Sequence, residues 1–192
     1  MTAAIGPALP SPEPVALLPG PLCGLRTWTL TGERGRERLR GPYSGAAWPG
    51  GGRWLRATCQ ADLGHPVPAG GCSCGVYGWH PTHRTARRVL AVRREIAGVV
   101  ETRGAVEVHA DGFRAEEGRP SVLVAHRRSN PHLMRRLAVA YGVEIVEVRD
   151  AEALLAWCRE HDVGLGVSTL EALLGRPVAR EQRLRIPWRR LR

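Results

Sequence analysis

The stretch from Cys59 to Tyr77, CQADLGHPVPAGGCSCGVY, constrains this chain more than any other, because it sets Cys59, His65, Cys72 and Cys74 within sixteen residues. Three thiolates and one imidazole are the number and kind of ligands that close a tetrahedral zinc site. Gly70, Gly71 and Gly75 permit the tight backbone needed to bring two nearby sulfurs onto one ion. Pro66 and Pro68 stiffen the loop after His65 and reduce the entropy lost on ordering it. The Cys72-x-Cys74 spacing is not the two-residue gap of a zinc ribbon, so the reading rests on all four side chains together. Cys23, which follows Gly20-Pro21, is a substitute for His65, and four thiolates would also admit an iron–sulfur cluster. The competing readings are redox-active thiols, or cysteines that pack as small apolar groups.

The rest of the chain sets the context for that loop. Its 192 residues suffice for one medium domain or two small ones, and 43% hydrophobic content supports a core. The net charge of +10 attracts polyanions. Every one of the 28 basic residues is Arg, which the accompanying Ala, Gly and Pro attribute to codon usage; the charge is real regardless. Residues 1–22 lack a basic n-region and are broken by six prolines, so no secretory signal is read there. No apolar run reaches the ~18 residues of a membrane span. A cytoplasmic location is expected, where close cysteines favour metal or redox chemistry over structural disulfides.

Residues 1–20 read as a disordered, Pro-rich leader. Residues 21–120 read as a Cys- and Trp-bearing β region, with strands expected over Leu25–Leu30, Arg53–Cys59 and Gly75–Trp79. Thr82 is an expected helix cap. Further strands are expected over Ile96–Thr102, Ala105–His109 and Phe113–Glu116, punctuated by Arg103-Gly104 and by the hairpin signal Asp111-Gly112. Residues 121–175 read as a βαβα segment packed on that region. Ser121–Ala125 is a strand buried on both faces. Asn130-Pro131 opens a helix that Gly142 stops, and Val143–Val148 is a strand parallel to the first. Asp150 caps the next helix, and Ser168 with Glu171 forms a capping box for a last short one. Residues 176–192 read as a basic tail. The fold class expected is α+β, a mostly antiparallel β region with a metal-stapled loop followed by the βαβα segment.

The runs Cys23-Gly-Leu-Arg-Thr-Trp28, Trp48-Pro-Gly, Cys59, His65-Pro-Val-Pro68, Cys72-Ser-Cys-Gly-Val-Tyr77 and Gly112-Phe-Arg-Ala-Glu116, with Gly98, Gly104 and His109 between them, are similar to an uncharacterised group of actinobacterial-type proteins. The resemblance covers about residues 23–120. It implies no activity. It implies that Cys59, His65, Cys72 and Cys74 act as one unit.

Three further sets of residues are candidates. Arg127, Arg128, Ser129 and Asn130 lie between a strand's carboxyl end and a helix, where anions bind; the plain alternative is a solvated capping loop. His109 and Glu116, on one face across the Asp111-Gly112 hairpin, would make a proton-transfer pair, against the commoner structural cross-strand cluster. Arg183, Arg185, Trp188, Arg189 and Arg190 in the tail could contact phosphates and stack on a base. The function expected is a zinc-stabilised cytoplasmic binding module whose partner is nucleic acid or an acidic protein. The alternatives are an enzyme for an anionic, phosphate- or carboxylate-bearing substrate, and a protein-interaction component without catalysis.

Overall fold

A computed structural model describes residues 21–42, 45–61, 63–92 and 94–178. The leader at 1–20 and the tail residues Arg183, Arg185, Trp188, Arg189 and Arg190 lie outside the described residues. In chain order the elements are β1 (Leu22–Thr31), β2 (Arg38–Arg40), β3 (Leu55–Arg56), β4 (Val76–Trp79), α1 (His83–Ala91), β5 (Ile96–His109), β6 (Gly112–Ala125), α2 (Pro131–Tyr141), β7 (Glu144–Glu147), α3 (Ala151–Glu160) and α4 (Val167–Leu174). The fold is α+β: a mixed, mostly antiparallel sheet with helices packed on it. Among the described residues no helix is long and apolar enough to cross a membrane.

The hairpin β5–β6 is the frame. The turn falls one residue before the expected Asp111-Gly112, at Ala110-Asp111, and Gly112 opens β6 opposite His109. The break expected at Arg103-Gly104 is instead a bulge inside one continuous strand. The register passes from Arg103↔Glu117 to Val106↔Ala115, so Gly104 and Ala105 together face Glu116. Gly104 sits at φ +80, and a Cβ there would meet the Glu116 carboxylate at 2.6 Å. The same Arg-Gly pair suits a turn or a bulge, and only the partner strand decides which. The strand β6 likewise runs on through Pro120, where a second register shift leaves the ladder already interrupted. It therefore carries both the end of the N-terminal β region and the first strand of the βαβα segment.

One edge of β6 pairs with β5. The other takes β4 at 112–115, then β3 at 117–118, then β7, parallel, at 122–125. The strand expected over Arg53–Cys59 is thus only two residues long, because the chain leaves that edge after Ala57, whose amide donates to the Glu116 carbonyl at 2.8 Å. β1 pairs with β5 and touches β4 through Leu25↔Trp79, so β1, β5, β6 and β4 close on themselves. Phe113 fills that closure against Gly24 and Gly78. A Cβ on either glycine would come within 2.7 Å and 2.4 Å of its ring.

Both faces of the sheet are covered. Leu25, Val99, Val122 and Val124 pack with α1 and α3, whereas Trp28, Val100 and Leu123 pack with α2. Double burial explains why Leu25–Leu30 shows no clean alternation. Trp28 and Trp48 meet edge-on at 5.5 Å. Tyr141 accepts from the Leu39 amide at 2.8 Å and donates to the Trp48 carbonyl at 3.2 Å, tying α2 to this cluster. The Asn130 side chain caps α2, and Gly142 ends it in the left-handed conformation. The last helix differs from expectation. Gly166 is its cap, Ser168 lies inside its first turn, and no side-chain cap bond forms. Burial of Leu170 beside Val106 and Phe113 fixes that placement over the local signal.

His80, 2% exposed, sits beside Phe113 and accepts from the Leu165 amide at 3.4 Å. Burial pushes its pKa down to about 4, with the backbone of His109 and Gly112 pulling the other way and the His109 charge adding to the depression. The unfolded chain, at its ordinary value of about 6.5, takes up the proton first. The stability due to the neutral ring is therefore full above pH 6.5 and is lost as pH falls towards 4, by about 3 kcal/mol. Denaturant unfolding at pH 7.5 and 4.5, with chelator throughout, should show a weaker acid destabilisation in His80→Gln than in the unsubstituted protein. Equal slopes would assign the acid sensitivity elsewhere.

Candidate metal centre

β3 and β4 lie end to end along one edge of β6, and residues 57–75 make the excursion between them. Such a long connection without regular structure needs something to hold it. Among its described residues only Cys59 and Pro68 are buried, so apolar packing does not do so. The four expected ligands do converge. One ligand atom each from Cys59, His65, Cys72 and Cys74 lies within 4.8 Å of all the others. The Cys59 and Cys72 sulfurs are 3.6 Å apart, against the ~3.8 Å edge of a tetrahedron with 2.3 Å metal–sulfur bonds. Cys59 comes from the start of the excursion and Cys72 and Cys74 from its end, so one ion would clasp both ends.

The local geometry selects the imidazole nitrogen. The His65 Nδ1 donates to the Pro66 carbonyl at 2.8 Å, which leaves Nε2 as the ligand atom and fixes the ring by an outer-sphere bond. That carbonyl, with the neighbouring Cys72 and Cys59 thiols, raises the imidazole pKa to about 9 in the metal-free chain. The Cys74 amide chiefly, helped by the surrounding hydrogen bonds, draws Cys72 down to about 7. Burial pushes Cys74 up. Ion entry must displace the remaining protons. Four protein ligands leave no open position, which is the arrangement of a structural site.

The loop is held from below by a residue that the sequence reading left unassigned. Arg114, 5% exposed on β6, forms an ion pair with Glu107 directly across the hairpin on β5. Its guanidinium also donates to the Cys72 carbonyl, to that of Cys74 at 3.1 Å and to that of Ala69 at 3.4 Å. The other Glu107 oxygen meets His109 Nε2 at 3.1 Å. Tyr77, opposite Arg114, donates its hydroxyl to the Ser73 carbonyl. Arg114 and Tyr77 therefore grip the backbone around both ligand sulfurs of the Cys-x-Cys pair.

Several expected assignments change. Cys23 lies on β1 opposite Glu101 and packs on the core shared with α1 and α3, so it is not in the ligand group. Burial pushes its thiol up to about 11. With Cys23 elsewhere, the all-thiolate set proposed for an iron–sulfur cluster is not assembled. His109 is joined to Glu107, whereas Glu116 pairs with Arg56 at 2.6 Å and accepts from the Ala105 amide at 3.3 Å. The strand register that opposes His109 to Gly112 leaves Glu116 four residues further along β6, so the proton-transfer pair is not formed. His83 pairs with Glu152 at 2.8 Å, and His80 is buried, so neither is in the ligand group.

At residues 127–130 the polar side chains serve the backbone. Ser129 Oγ accepts from the His126 amide at 3.0 Å, and Asn130 Oδ1 accepts from His132 and Leu133 at 3.0 and 3.2 Å. The amides that an anion would use are thus taken, and the guanidiniums of Arg127 and Arg128 remain. The chain matches no protein-family model, and no curated protein or solved structure matches it.

Proposed function

We propose that the chain is a zinc-stapled cytoplasmic binding module whose basic face takes nucleic acid. The observation that carries the reading is the convergence of Cys59, His65, Cys72 and Cys74 within one loop that has little apolar packing of its own. Three thiolates and one imidazole in a closed set suit zinc, and the free thiols of all five cysteines accord with a reducing compartment. Arg87, Arg88, Arg127, Arg128 and Arg149 are exposed, and all but Arg88 line one depression between α1, the β6–α2 turn and the start of α3. The enzyme alternative loses support with the His109–Glu116 pair.

The test is binding of random-sequence single- and double-stranded DNA by the full chain at 50 and 200 mM salt. About four phosphate contacts predict a loss of roughly 100-fold in affinity between those conditions. A chain ending at Gly175 should show a flatter salt dependence, since the arginines from Arg176 onward are removed. Identical weak binding by both chains would reject the tail as a nucleic-acid element. Binding of poly-glutamate in preference to DNA would assign the face to an acidic protein instead.

A further inference from the structure

Beside the exposed arginines lies a cleft of about 410 Å³, adjoining the shallower depression of about 200 Å³ that the arginines line. The two share Leu90, Ala91, His126 and Arg128. Their combined size falls in the range of small-molecule sites. The lining is divided by chemistry. Leu30, Leu90, Leu133 and Met134 make an apolar wall in the larger part. Arg87, Arg127, Arg128 and Arg149 gather at the smaller part.

The charges there are not neutralised locally. Asp150 is the acidic group of the depression, and it is committed: one oxygen caps α3 at Ala153 and the other pairs with Arg149 at 3.0 Å. Glu95 lines the larger part next to Arg94. Among the described residues, Arg87, Arg127 and Arg128 have no carboxylate partner. His126, on the shared wall, accepts the Arg128 amide at Nδ1 and so carries its proton on Nε2 as a further donor. Burial, then the charges of Arg128 and Arg127, lower its pKa and keep it neutral. Planar guanidiniums lining one depression from α1 and from the β6–α2 turn match the oxygens of a phosphate. The apolar wall is of no use to a bare phosphate ion and suits a carbon body attached to it.

We propose that this cleft binds a phosphate monoester, its phosphate held by Arg87, Arg127 and Arg128 and its apolar or flat body laid on Leu90, Leu133 and Met134. The site does not depend on the polyanion reading. Calorimetric titration of the full, metal-loaded chain with phenyl phosphate and with inorganic phosphate tests it. Phenyl phosphate should bind saturably and at least about tenfold more tightly than inorganic phosphate, the discrimination expected from burying a small apolar group. The double variant R127A/R128A, at exposed positions, should weaken both ligands by tenfold or more with its melting temperature unchanged. Leu133→Ala should weaken phenyl phosphate alone. Absence of saturable binding, equal affinity for the two probes, or an unaffected double variant would each overturn the proposal. A single-stranded oligonucleotide with and without a 5′-phosphate separates the two sources of such an ester. Tighter binding of the phosphorylated strand, competed by phenyl phosphate, would make the ligand a strand end. No difference, together with binding of a nucleoside monophosphate, would make it a free small molecule. DNA binding without phenyl phosphate binding would leave the basic face standing and reject this site. The reverse result would do the opposite.

Discussion

Replacing Arg114 by Ala is expected to destabilise the metal-loaded protein by about 3–5 kcal/mol, the loss that follows when one member of a buried ion pair is removed. Two consequences of the substitution add. Glu107, 4% exposed, is left inside the sheet with His109 as its remaining ion-pair partner. The carbonyls of Ala69, Cys72 and Cys74 lose the donor that binds all three to β6. For a chain of this length the loss corresponds to a fall of roughly 6–20 °C in melting temperature. Truncating both partners, as Arg114→Leu with Glu107→Leu, removes the uncompensated charge and should recover part of the loss. Full recovery is not expected, because the loop carbonyls still lack a donor. Denaturant unfolding of the two variants, with metal saturating, gives the comparison. A loss under about 1 kcal/mol for Arg114→Ala would show that the pair is solvated and unimportant.

What could be read from residues alone followed how local the deciding chemistry is. The helix from Pro131 to Tyr141 was legible because Asn130, Pro131 and Gly142 act on backbone within a few residues of themselves. The parallel pairing of β7 with β6 was legible because a short apolar run, a helix and another short run allow few other arrangements. The metal ligands were legible because three cysteines and a histidine among glycines and prolines have few other uses. Gly104 was not legible, since its left-handed backbone serves a turn or a bulge equally well. Pro120 gave no hint of a continuous strand, because the ladder irregularity that tolerates it belongs to the pairing with β5. Arg114 was legible only as a member of an exposed cross-strand cluster with His109 and Glu116, whereas it is buried. Its partner depends on the register of the hairpin. An Asp111-Gly112 turn would set Arg114 against His109 and Glu107 against Glu116, whereas the observed loop, Ala110-Asp111, shifts the register and sets Glu107 against Arg114. An opposed Glu and Arg in a strand pair whose neighbours are Val106, Val108, Phe113 and Ala115 is a buried ion pair in need of further acceptors, and the nearby loop supplies them.

Stripping the metal is expected to unfold residues 57–75 while leaving the rest of the fold in place. Ordering backbone costs about 1–2 kcal/mol per residue, and this excursion has little to set against that cost. Cys59 and Pro68 are its buried members among the described residues, and it is held to the sheet by Arg114, by Tyr77 and by the Ala57 amide on the Glu116 carbonyl. Ligation by a structural zinc site contributes on the order of 10–16 kcal/mol, enough to dominate the loop, which it would hold at both ends and, through His65, near its middle. The sheet and helices have their own support, in apolar clusters centred on Leu25 and Leu154, on Trp28 and Leu137, and on Phe113 and Leu170. Addition of chelator should therefore abolish amide-exchange protection around Cys59–Cys74, with β4 fraying after it, while α2 and the β5–β6 hairpin stay protected. Cys72→Ser should behave like the chelated protein in the presence of metal. Reloading must release protons, because the His65 imidazole is held protonated up to about 9 by the Pro66 carbonyl and the thiol protons leave with it. Affinity for the ion should consequently rise between pH 6 and 7.5, and buffer-dependent calorimetry should count the protons released. Exchange patterns that do not change with chelator would show that the four side chains meet without holding an ion. Global loss of protection would show instead that the clasp at the edge of β6 supports the whole sheet.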